Sequence, residues 1–101
     1  MKKLIAFAIY DIAAGAYMRP WFVPSDQVAI RSFTDICSDA DHPVGQHPDD
    51  YSLFRIGGYD EDTGKLLVED RECIITGPEA VSRSRKMNGA ALQAAVEETV
   101  K

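Results

Sequence analysis

The chain opens on a nearly unbroken apolar run. In "KLIAFAIYD", residues 3–11, Ile5, Phe7 and Ile9 fall on one side of an extended backbone, and Leu4, Ala6, Ala8 and Tyr10 on the other. Both sides are apolar, so a central strand covered on both faces is expected. "DIAAGA" is a short connection with Gly15 available for a tight turn. "YMRPWFV" then reads as a second strand, antiparallel to the first. Tyr17, Arg19, Trp21 and Val23 are expected on one face, with Met18, Pro20 and Phe22 on the other. Pro20 cannot donate to a sheet ladder, so it belongs at an open edge or a bulge, which exposes part of that strand.

After Pro24 the period changes. Ser25 suits an N-cap and Asp26 the first helical turn. A helix is expected over residues 26–38, with Ala29, Ile30, Phe33, Ile36 and Cys37 as its core stripe. Gln27, Arg31, Thr34, Asp35 and Ser38 face outward. "SDADHPVGQHPDD" is a polar, acidic connector whose prolines and glycine argue against regular structure. Its length points to a functional or mobile loop.

"YSLFRIGGYD" is a third strand, with Phe54 and Ile56 opposite Tyr51 and Leu53, and with Gly57 and Gly58 marking a bulge or a close backbone approach. "DEDTG" is turn chemistry, "KLLVED" the returning strand of a hairpin, and "ECIIT" a last short strand. "AALQAAVEETVK" has high helix propensity, but a dozen residues hold a helix only by docking. The expected class is α+β: a small antiparallel sheet, β-β-α-β-β, with one helix packed on a face. Residues 1–76 form the core domain and residues 77–101 a C-terminal tail able to form a short helix.

Size and composition narrow the classes. The chain of 101 residues suits one domain with one modest core. Lys2, Lys3 and the following apolar residues resemble a signal peptide, but Tyr10 and Asp11 cut that run short, and a strand is expected instead. No apolar run reaches transmembrane length. Two cysteines, Cys37 and Cys73, are too few for a disulfide scaffold and read as buried free thiols of a reducing compartment. The net charge of −5 is uneven: residues 1–34 carry +2, residues 35–62 carry −7, and the remainder is neutral. An acidic total argues against non-specific coating of nucleic acid but leaves room for a local basic face.

Catalytic and metal motifs are missing. His42 and His47 lie near Cys37, Asp39 and Asp41 without a standard ligand spacing. "DEDTG" begins like a calcium loop but has no distal bidentate glutamate. No GxSxG, phosphate-cradling glycine loop or HExxH occurs, and adjacent Asp49 and Asp50 make a poor acid–base pair. The chain is therefore expected to be no enzyme, with no cofactor and no metal. The alternation of Tyr17, Arg19 and Trp21 is of a different kind. Aromatic platforms interleaved with cations hold single-stranded nucleic acid, and Lys3, Arg31 and Arg55 are candidates to join them. The competing reading puts Tyr17 and Trp21 over the core or a subunit contact, with Arg19 snorkelling. "RSRK", residues 83–86, is a second basic spot.

"FAIYD", "AYMRPWFVPSDQVAIRSFTD" and "HPDDYSLFRIGGYDEDTG" resemble the small nonstructural protein of gokushovirus-type microviruses, phages with circular single-stranded DNA genomes. The resemblance covers residues 5–67. It implies an early protein of the host bacterial cytoplasm, absent from the mature virion, that handles the genome by binding single-stranded DNA or by switching replication toward single-strand production and packaging. It implies no catalytic residues. Two functions follow. In the first, the face bearing Tyr17, Arg19 and Trp21, with Lys3, Arg31 and Arg55, binds single-stranded DNA, and open strand edges pair two copies into a homodimer. In the second, the acidic segment 35–62 docks a replication or assembly protein, without DNA contact.

Overall fold

The computed structural model describes residues 3–85. Five strands form one antiparallel sheet: β1 Lys3–Asp11, β2 Ala16–Tyr17, β3 Trp21–Val23, β4 Tyr51–Asp60 and β5 Lys65–Thr76. β1 is central. β4 pairs along one side of it, while β2 and β3 share the other; β5 forms the far edge beyond β4. Helix α1, Asp26–Cys37, connects β3 to the short helix α2, Pro43–Gln46, and a 3-10 turn at Pro48–Asp50 leads into β4. The backbone is helical again over residues 77–85, here α3. The class is α+β, as the patterning predicts.

Helix α1 forms where a proline-terminated strand meets a capping serine. Val28 N–H donates to Ser25 Oγ at 3.4 Å, satisfying one of the first-turn donors. Ala29, Phe33 and Cys37 are fully covered, with Ile30 and Ile36 around them. They meet Phe7, Ile9, Leu53 and Ile75 from one face of the sheet. Each large side chain buried here contributes roughly 1.5–3 kcal/mol.

Burial also pushes the Cys37 thiol up to about 11. Its folded pKa lies above its unfolded one, so the unfolded chain releases the proton first as pH rises. Stability is therefore expected to be intact below about pH 8.5 and to fall as pH climbs toward about 11. Chemical denaturation across that range should show the decline, and Cys37→Ala should flatten it. Cys73 is exposed, contrary to the expectation of two buried thiols.

Four further expectations are corrected. The connector holds regular structure: Pro43 and Pro48 each occupy a first helical turn, where the missing N–H costs nothing. His42 Nδ1 accepts from Val44 N–H at 3.1 Å, and Val44 is completely buried in the core. "KLLVED" and "ECIIT" form one strand, because residues 69–71 bulge opposite Ile56 without ending the pairing. The core runs past residue 76, since Ala80 is buried and Val81 packs beside it. Finally, β1 is central but only one of its faces carries a helix. No described element covers the other. The helix expected over residues 90–101 lies outside the described residues.

Candidate functional site

Cross-strand partners share a face of a sheet, so the registers assign the paired side chains to faces. Ile5, Phe7 and Ile9 of β1 stand opposite Val23, Trp21 and Leu53, and all belong to the helix-covered face. Ala6, Ala8 and Tyr10 stand opposite Phe22, Phe54 and Tyr17 on the other face. Tyr10 pairs with Tyr17 and Phe7 with Trp21. Three steps along β1 thus match four along the outer segment. The extra residue falls between β2 and β3, at Met18–Pro20, where Met18 N–H donates to Ile9 O at 2.7 Å.

That irregularity reverses the expected arrangement. Tyr17 and Trp21 lie on opposite faces. The indole is half-buried against the core, its centroid 6.1 Å from that of Phe7. Arg19 is exposed on the connector at the sheet edge, and Arg31 is exposed on α1. Lys3 opens β1 opposite Asp60 and shares the parity of Ile5. Of the six candidates, only Tyr17 stands on the open face.

Arg55 lies under the helix, paired on two sides. Its Nη1 donates to Asp26 Oδ2 at 2.8 Å, and its Nη2 to Glu72 Oε2. The bridge ties the first turn of α1 to β4 and β5. Burial pulls the guanidinium pKa down, but the two carboxylates outweigh it and hold the group above its ordinary value. Arg55→Gln leaves the half-buried Asp26 carboxylate without its charge partner, and about 1–2 kcal/mol of stability should be lost. The same change should leave ligand binding at the open face unaltered. A melting curve and a binding titration on one sample check both.

The open face is aromatic. Tyr10 and Tyr17 lie 4.8 Å apart by ring centroids, and Phe54 meets Tyr17 edge-on at 5.5 Å and Tyr10 at 6.2 Å. A second pair, Phe22 and Tyr59, stands 5.9 Å apart. Ala6 and Ala8 lie between the two groups along β1 and are themselves buried, so the larger side chains around them close over the sheet there. Arg71 of β5 reaches across to Tyr17: its guanidinium lies 5.5 Å from the ring centroid, and Nη1 donates to the hydroxyl at 3.0 Å. Edge-to-face rings and a cation over a π-face add roughly 0.5–1.5 kcal/mol per contact beyond area burial. The rings therefore pack on one another, with Tyr10, Phe54 and Tyr59 half-buried and Tyr17 and Phe22 the more exposed.

Tyr10, Phe22, Phe54, Tyr59 and Arg71 were not among the sequence candidates. They come from four strands and converge only through pairing. The available signals were the alternation of β1, which separated Tyr10 from Phe7, and that of the later strands, which separated Phe22 from Trp21 and Phe54 from Leu53.

The model of the family described as "Phage ORF5 protein" matches residues 4–80. The chain belongs to the phage ORF5 protein family. The matched span runs from β1 into α3 and includes every ring of the open face. Nothing among curated proteins or solved structures matches this phage ORF5 protein. No described helix is long and apolar enough to cross a membrane, and the described residues hold no cluster of three metal-ligating side chains.

Proposed function

We propose that this phage protein binds single-stranded DNA on its open aromatic sheet face, without catalysis, during genome replication or packaging in the host cytoplasm. The residue pattern shared with nonstructural proteins of gokushovirus-type phages supports this reading. The observation that carries it is the half-exposed cluster of Tyr10, Tyr17 and Phe54 with Arg71 laid against it. Bases stack on such rings whatever their sequence, each contributing about 1–3 kcal/mol. Arg71 supplies a cation within the cluster, and Arg19 a second at the neighbouring edge.

Few cations serve this face, so stacking must dominate over phosphate contacts. Fluorescence-anisotropy titration with a labelled oligothymidylate at rising salt tests this. Two or three phosphate contacts predict a log–log salt slope no steeper than about −2. A markedly steeper slope points instead to the arginines of α1 and α3. Complete failure to bind favours the acidic connector, where Asp39, Asp41 and Asp49 are exposed, as a docking surface for a protein partner.

A further inference from the structure

We infer that the outer edge of β5 pairs two copies of this chain, antiparallel and centred on Leu67. β5 forms the sheet edge, and no described strand pairs along its outer side. The edge reads Lys65-Leu66-Leu67-Val68 in regular pairing and then Glu69, the first residue of the bulge at 69–71. Leu66 is 68% exposed and Val68 is 94% exposed. An unpaired edge bearing exposed aliphatic residues is a template for another strand.

The five residues are self-complementary in one register. Folded against itself about Leu67, the segment sets each Lys65 opposite a Glu69, each Leu66 opposite a Val68, and Leu67 opposite its own copy. Both ends then carry an opposite-charge pair, and the centre is wholly aliphatic. Shifting the centre to Asp70 would set Asp70 against Asp70, and a centre between Asp70 and Arg71 would set Glu69 against Glu72. Like charges directly opposite are destabilising, so those registers are disfavoured. The bulge opens at Glu69 and ends the regular edge, so pairing stops at the Lys65–Glu69 charge pairs that close the stretch.

A two-fold axis through such a pair stands perpendicular to the sheet. It keeps both open faces on one side, so the dimer presents two aromatic clusters to the same strand of ligand. The pairing itself rests on the edge and not on ligand binding.

The test is sedimentation velocity of the full chain over a concentration series, without DNA. The native chain is expected to show a concentration-dependent dimer. Lys65→Glu and Glu69→Lys each replace two opposite-charge pairs by two like-charge pairs, and each should weaken the dimer by about tenfold. The double variant Lys65→Glu/Glu69→Lys restores both pairs and should recover the native constant. Leu67→Lys sets two ammonium groups face to face and should give monomer. These positions are on the exposed hairpin, so the fold is retained. A native chain that stays monomeric at high concentration overturns the inference, as does a dimer indifferent to the single swaps or a double variant as weak as either single one.

Discussion

Gly77→Ala is expected to lower stability by about 3 kcal/mol or more, toward the severe end for a single methyl group. A Cβ built at Gly77 would sit 1.7 Å from the carbonyl oxygen of Pro48 and 2.9 Å from that of Tyr51. Both neighbours are backbone, so no rotamer change relieves the clash. The 3-10 turn at Pro48–Asp50 would have to move, and it is anchored: Ile12 N–H donates to Asp50 O at 2.8 Å. Displacing it disturbs the entry into β4 and the β1–β2 connection together. For a domain of this length the melting temperature should fall by roughly 15 °C. Gly64 is the internal control. It adopts φ 75° in the hairpin turn, a conformation that asparagine tolerates better than most residues, and its Cβ position is open, so Gly64→Asn should cost far less. Thermal unfolding of the two variants beside the native chain separates close approach from backbone conformation.

Tyr17→Ala is expected to weaken oligothymidylate binding by about tenfold to a hundredfold, the equivalent of one to two lost stacking contacts. Tyr17 is the hub of the open face: it touches Tyr10 and Phe54, and its hydroxyl holds Arg71. Removing it deletes a platform and releases the cation. Tyr17 is 37% exposed in a two-residue strand at the sheet edge, so the core should be undisturbed. Trp21→Phe is the matched control. The indole packs toward Phe7 on the helix-covered side, and its replacement should leave the dissociation constant within a factor of two or so. Trp21 emission should likewise change little on addition of DNA. Quenching of Trp21 would place the ligand on the wrong face for this account.

Much of the fold was legible because it depends on local rules. The step from Pro24 to Ser25 announces α1, and the stripe from Ala29 to Cys37 names its buried side. "DEDTG" announces the hairpin, where Asp60 Oδ1 accepts from Asp62 N–H at 2.9 Å. The site was far less legible. A strict two-residue period puts Tyr17 beside Trp21, and a single extra residue near Pro20 separates them. Pro20 warned of a bulge but could not say that the faces would exchange. Arg55 looked available because its partners, Asp26 and Glu72, lie 29 and 17 residues away. Arg71 meets Tyr17 from 54 residues away, across a sheet whose registers no local pattern fixes. Val44 reached the core from a segment whose composition suggested only solvent.

The central claim is that the open aromatic face is the DNA-binding surface. An NMR titration of the full chain with unlabelled oligothymidylate tests it most directly, read on the aromatic side chains and backbone amides together. Binding at this face should shift and broaden the ring resonances of Tyr10, Tyr17, Phe54 and Tyr59, with the Arg71 side chain following, while the amides of α1 stay in place. Shifts confined to α1 and α3, with those rings unmoved, would contradict it.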